Sequence, residues 1–298
     1  MSIYGPRYWH IWLAVGLLRL VTLLPHRLRL TVGRLLGKLF FQLAKSRRRV
    51  AEVNIRLCMP NLNQQERDQL VKQHIESVGI GLIETGMCWW SSHQELIKLT
   101  QFNGLEHLRD ALKAGNGAIL LAAHFTTLEL GLRLLTALQE FPINSVYQVH
   151  KNPLLEKLFF ENRGKNTGLI PQNEIRQMIK LLKANKVVWY APDQGYEGKY
   201  SELVPFFGVP ANSNTATSRL AKLTGAVVLP FFERRLDDGT YALDILPPIE
   251  SFPSDDPILD TERFHHLIEA EARRVPEQYL WVHRRFKRRP PEYPDVYA

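Results

Sequence analysis

The first 51 residues contain no acidic side chain. Glu52 is the first carboxylate, and ten lysines and arginines precede it. The rest of the chain holds 28 basic and 30 acidic residues, so the net charge of +8 sits wholly in the N-terminal sixth of its 298 residues. Such segregation implies a local anionic partner, not a uniformly basic protein. Nucleic acid is one such partner, but no groove-reading motif accompanies the charge. Cysteine is nearly absent. Cys58 and Cys88 form no C-x-x-C pair and join no local ligand cluster, which argues against a disulfide framework or a zinc knuckle and implies reduced cytosolic thiols. Internal repeats and low-complexity tracts are also missing. A hydrophobic content of 45% is ordinary for a globular protein, and the length suits one large domain or two small ones.

Long apolar runs are equally scarce. The longest, Tyr8 to Leu24, is interrupted by His10 and Arg19. As a helix its 17 residues would extend about 25 Å, slightly less than a hydrocarbon core of about 30 Å. Ala-x-Ala is absent, and the charge order is the reverse of a cleaved signal peptide. Arg7 stands before the run, and Arg27, Arg29, Arg34, Lys38, Lys45 and Arg47 to Arg49 follow it. By the positive-inside rule the C-terminal bulk is then cytoplasmic. Leu28 to Ala44 interleaves leucine and phenylalanine with Arg34 and Lys38, as an interfacial helix does. The expectation is a single-pass anchor and a surface-lying helix in residues 1–50, followed by one folded domain in 51–298. The alternative is a helical hairpin packed on that domain.

The centre of the chain reads GAILLAAHFTTLELG from Gly117 to Gly131. Six apolar residues, Ala118 to Ala123, predict a strand buried on both faces. His124 stands where that strand runs out, and a helix rich in leucine follows Thr126 and Thr127. Open α/β sheets place their chemistry at such strand ends. His124 and Glu129 are therefore a candidate general base and its orienting carboxylate. The pairing requires His124 to lie in the turn, since residues five apart in one helix are about 140° around its axis. The structural alternative is a hydrogen-bonded core histidine beside a solvated first-turn acid. The two-histidine helical face of a zinc site is lacking, and no metal is expected.

Around this stretch, helical and extended patterns alternate. Asn63 to Glu66 opens a helix reaching about Met87, ended by Trp89 and Trp90, and Leu105 to Leu112 forms a shorter one stopped by Gly115. Strands are predicted at Asn144–Val149, Val187–Ala191, Ala226–Phe232 and, at an edge, Tyr241–Leu246. Helices are predicted at Leu154–Gly164 (opened by Asn152 and Pro153), Arg176–Ala184 and Ser213–Leu223. This order implies an α/β fold, a mostly parallel central sheet flanked by helices. Pro192, Asp193 and Gln194 follow a strand as His124 does, which puts a second polar cluster on the same rim.

Several segments in order resemble one family. HFTTLELG at 124–131, APDQG at 191–195, VPFFGVPA at 204–211, SRLA at 218–221 and PEQYLWVHRRFKRRP at 276–290 are similar to the lipid A biosynthesis acyltransferases, which add secondary lauroyl or myristoyl chains to the lipopolysaccharide anchor. The likeness covers nearly the whole chain. The H-x4-D/E box alone is shared with the wider lysophospholipid acyltransferase superfamily. The resemblance implies an acyl carrier protein thioester as donor, with no cofactor. The acceptor is the 3-hydroxyl of a hydroxyacyl chain on a lipid A precursor, a Kdo-bearing tetraacyl disaccharide. It also implies His124 as base with Glu129 steadying the imidazole, no acyl-enzyme, and an inner-membrane location with the catalytic domain on the cytoplasmic face. Arg163, Asn152, Asp193 and Gln194 match the family's substrate-binding segments. Arg163 suits phosphate or sugar oxygens, or else a surface pair with Glu161 or Glu156. Asp193 would anchor a loop or contact Arg163. Two departures are visible: Tyr147-Gln148 where many relatives have Tyr-Arg, leaving Lys151 or His150 as substitutes, and Gly195 where Asp or Asn is frequent. The basic run Arg284, Arg285, Lys287, Arg288 and Arg289 offers a docking surface for the acidic carrier or for anionic headgroups, or is a solvated tail. Competing functions are acylation of another glycolipid or lysophospholipid, and non-catalytic lipid binding on the same fold.

Overall fold

The computed structural model describes residues 3–298. Four helices lead the chain: α1 (Trp9–Val21), α2 (His26–Leu43), α3 (Lys45–Cys58) and α4 (Gln64–Trp90). There follow α5 (His93–Lys98), β1 (Thr100–Asn103), α6 (Leu105–Lys113), β2 (Ala118–Leu121), α7 (Leu128–Ala137) and β3 (Ile143–Tyr147). Next come α8 (Pro153–Gly164), β4 (Gly168–Pro171), α9 (Ile175–Lys183), β5 (Val187–Tyr190) and the antiparallel pair β6 (Ser201–Phe206) and β7 (Val209–Asn214). The last elements are α10 (Ala216–Thr224), β8 (Val227–Arg235), β9 (Tyr241–Ile245) and α11 (Pro257–Arg274).

Seven strands form the central sheet in the order β1-β9-β8-β2-β5-β3-β4. All neighbours are parallel except β8 and β9. Strand β2 lies in the middle with every residue buried, as its unbroken apolar run requires. Separate apolar cores cover the two faces: Ile119 and Leu121 point into one, Ala118 and Leu120 into the other. The β9 strand is not at the edge as expected, because β1, too short and polar to read from sequence, pairs outside it in parallel.

The α4 helix begins with the expected capping box, Asn63 accepting from the Glu66 amide and Glu66 from that of Asn63. Helix α2 packs on α4 through glycines. A side chain at Gly37 would meet the Glu76 Cα at 2.5 Å, and one at Gly79 would meet the Gly33 carbonyl at 2.4 Å. Gly86 similarly admits Leu18 and Thr22 of the first helical segment.

The single-pass anchor is corrected. Among the described residues no helix is long and apolar enough to cross a membrane. The Tyr8–Leu24 run is cut to 13 helical residues, about 20 Å. Helix α1 ends at Val21 because Pro25, which opens α2, cannot continue it. Arg19, which interrupts that run, covers the Trp90 ring at 5.3 Å. What the two helices do present outward is apolar: Trp9, Leu13, Leu17, Leu20, Leu28, Leu35, Leu39 and Leu43 are all exposed.

Candidate active site

Strand order brings the site together. In the parallel pair β2–β5, Leu121 is opposite Tyr190. Three residues further along each chain stand His124 and Asp193. The register therefore delivers an imidazole and a carboxylate side by side at the carboxyl rim, where both strands have run out. His124 Nδ1 and Asp193 Oδ1 are 2.6 Å apart, and the His124 amide donates to Oδ2 at 3.0 Å. The Tyr279 hydroxyl donates to the same Oδ2 at 3.1 Å.

The electrostatics follow from this saturation. Asp193 is fully buried, which pushes its carboxyl pKa up. The His124 charge and hydrogen bonds, with Arg285, outweigh that and bring it down to about 2. An ionised Asp193 can only accept, so Nδ1 of the imidazole carries the hydrogen, and in the neutral ring the lone pair is on Nε2. The His124 side chain remains 24% exposed and lines a cleft. That cleft, about 270 Å³ with its open mouth, is lined by Gln194, His283, Arg285, Tyr279 and Cys58 among others.

The turn is clamped from the C-terminal side. Phe125 forms an antiparallel bridge with Tyr279. The Leu280 amide donates to the His124 carbonyl at 2.9 Å, and the Thr126 amide to the Gln278 carbonyl at 2.7 Å. Asn54 of α3 in turn donates to the carbonyls of Trp281 and His283. On the other side α4 approaches so closely that a side chain at Gly81 would meet the Thr126 carbonyl at 2.5 Å.

The expected His124–Glu129 contact gives way to a different pairing: each is engaged elsewhere. Glu129, in the first turn of α7, binds Arg163 from the last turn of α8 through both carboxylate oxygens. The carboxylate that orients the imidazole is Asp193. Neither of the sequence alternatives for Arg163, Glu161 or Glu156, is its partner: Glu161 pairs with Lys157, and Glu156 accepts from the Tyr147 hydroxyl and the His150 amide. Asn152 caps α8, accepting from the amides of Leu154 and Leu155, so its side chain does a structural job. Within the basic C-terminal run, Arg285 is not a docking residue. It is 4% exposed and donates to the Asn212 carbonyl and the Ser213 hydroxyl. Tyr279 and His283 carry no individual signal in the sequence beyond their place in the PEQYLWVHRRFKRRP segment, and Arg285 reads there only as part of a basic docking run.

Comparison with known proteins agrees with this architecture. A family model described as bacterial lipid A biosynthesis acyltransferase matches residues 1–288. The chain is 41% identical to the lipid A biosynthesis lauroyltransferase of Escherichia coli K12, over 99% of this chain and 97% of that one. It is 36% identical to the palmitoleoyltransferase of the same organism, over 96% and 93% of the two chains, and 26% identical to its myristoyltransferase, over 97% and 90%. With a match of that extent along the sequence, the chain belongs to the bacterial lipid A biosynthesis acyltransferases.

Proposed function

We propose that this protein carries an acyl chain from a thioester on acyl carrier protein to the 3-hydroxyl of a hydroxyacyl chain on a lipid A precursor. The observation that carries the proposal is the 2.6 Å contact between His124 Nδ1 and the buried Asp193 carboxylate. An aliphatic hydroxyl is a poor nucleophile at neutral pH. His124 Nε2 removes its proton as the oxygen attacks the thioester carbonyl, and Asp193 stabilises the imidazolium that forms. Collapse of the tetrahedral intermediate breaks the C–S bond, and His124 returns the proton to the departing thiolate. The products are the new ester and the free thiol of the carrier. No enzyme nucleophile is used, in keeping with Cys58 and Cys88, whose thiol pKa values are pushed up mainly by burial.

Glu129 acts in this scheme through Arg163, holding the guanidinium at the mouth of a neighbouring cleft for the anionic acceptor. The apolar outer faces of α1 and α2, flanked by Arg27, Arg34 and Lys38, seat the enzyme in the interfacial region of the bilayer, where both its lipid substrate and anionic headgroups are found. Mass spectrometry of lipid A from cells lacking the protein tests the function. Loss of one secondary acyl chain, restored by the wild-type gene but not by His124→Ala, is the expected result. Unchanged lipid A with altered phospholipids would overturn it.

A further inference from the structure

A second cleft, about 300 Å³ with its open mouth, lies beside Glu129 and is lined by Arg133, Arg163, Trp89, Leu132 and Asn166 among others. Arg133 follows Glu129 by one helical turn on α7, the spacing at which such residues ordinarily pair. Glu129 instead gives both oxygens to Arg163. Arg133 is left with neutral partners. Its Nε donates to the Cys88 carbonyl and its Nη2 to the Ser91 carbonyl, each at 3.3 Å, at the C-terminal end of α4. The third nitrogen, Nη1, is shielded from solvent and has no partner among the described residues. The residue as a whole is 6% exposed. Capping α4 explains two of the three nitrogens and leaves a buried cationic donor unspent.

The charge balance points the same way. Two guanidinium groups and one carboxylate line the cleft, so it carries a surplus positive charge in partly desolvated surroundings, where an oxyanion is bound most strongly. A phosphate ester fits better than a neutral sugar hydroxyl. It has several charged acceptor oxygens, enough to meet Nη1 of Arg133 and to compete with Glu129 for the fork of Arg163.

We propose that Arg133 and Arg163 form a subsite for a phosphate group of the lipid acceptor. The inference rests on the acyl-transfer reading above and adds Arg133 as a residue that positions the acceptor. Its test compares wild type with Arg133→Gln and Arg133→Lys, using acceptor with its phosphates and acceptor from which phosphatase has removed them. Arg133→Gln is expected to raise the KM for the phosphorylated acceptor about tenfold with little change in kcat, and to leave the KM for the dephosphorylated acceptor unmoved. Arg133→Lys, which keeps the charge, recovers part of the loss. Inorganic phosphate should inhibit the wild type competitively against acceptor. Calorimetric binding of phosphate should disappear in Arg133→Gln, with circular dichroism showing the variant folded. Equal losses on both acceptors, unchanged phosphate binding in a folded Arg133→Gln variant, or competition against the thioester donor overturns the subsite. Calorimetry needs no turnover, so a protein that acylates no lipid A precursor yet loses phosphate binding in Arg133→Gln would overturn the acyl-transfer reading and leave the anion site standing.

Discussion

Two carboxylates compete for the role of orienting His124, and the backbone decides between them. Glu129 is near in sequence, but α7 begins at Leu128, so Glu129 rides on a helix and is claimed by Arg163. Asp193 is 69 residues away, yet the β2–β5 register places it directly beside the imidazole. The position of His124 was legible because six apolar residues ending in a histidine can hardly be anything but a buried strand reaching its polar rim. The sequence put Asp193 on the same rim but not against the imidazole, since which strands adjoin is a property of the sheet, not of local spacing. Replacing Asp193 by asparagine keeps the shape but removes the charge and the obligatory acceptor. Expected is a fall in kcat of roughly 10²–10⁴-fold with KM little changed. Glu129→Gln, by contrast, loosens Arg163 and should act mainly on the acceptor KM. Steady-state kinetics on the two purified variants decide the matter. The reverse ranking, with Glu129→Gln the more damaging to kcat, would return the orienting role to Glu129.

At the scale of whole elements, α4 joins what the sequence showed as separate features. One stretch of it admits α2 through Gly79, and a neighbouring one admits the active-site turn through Gly81. The interleaving of leucines with Arg34 and Lys38 was readable as a helix with two unlike faces. Its inner face was not, because Gly33 and Gly37 carry no hydrophobic signal although they permit the closest helix contact in the N-terminal region. The anchor expected from Tyr8–Leu24 failed because hydropathy was counted through a helix end that Pro25 enforces. Outward and inward faces can therefore be tested apart. Leu35→Glu combined with Leu39→Glu alters only exposed positions, and should leave the melting temperature unchanged while abolishing co-sedimentation with anionic phosphatidylglycerol vesicles. Gly37→Val drives a side chain into the Glu76 backbone, and should cost roughly 1–3 kcal/mol of stability. If the double glutamate variant still binds vesicles, the outer leucines are not the membrane contact.

Over the whole molecule, the C-terminal segment is the strap that holds the site shut against the sheet, and neutral histidines lie along it. His74 of α4 meets the Glu277 carbonyl at 3.1 Å, His265 of α11 meets that of Pro205 at 2.7 Å and adjoins Arg285, and His283 lies on the strap itself. Burial lowers all three from 6.5: His74 to about 4, His265 to about 3 and His283 to about 4, with the nearby Arg285 contributing to the last two. Below about pH 6.5 the unfolded chain therefore takes up three protons that the folded chain refuses, and stability falls with pH. Glu233 works in the opposite sense. Its carboxyl, buried on β8, is pushed well above 4.5, so from there upward the folded chain holds a proton that the unfolded chain has released. The three imidazoles outnumber the one carboxyl, so stability should fall as acid is added below about pH 6.5, most steeply where the unfolded imidazoles are charged and the folded ones are not. Asp193, whose carboxyl is held at about 2, adds to the loss only once the pH drops below about 4. Urea unfolding in a mild detergent at pH 7.5, 6.5, 5.5 and 5.0 measures the slope directly. His74→Leu removes one of the three titrating rings from a site where Nε2 has no partner among the described residues, and should make the slope shallower by about 1 kcal/mol per unit. A stability that stays flat down to pH 5 would mean that these rings already carry their protons in the folded protein, and the strap would then need a different account of how it is held.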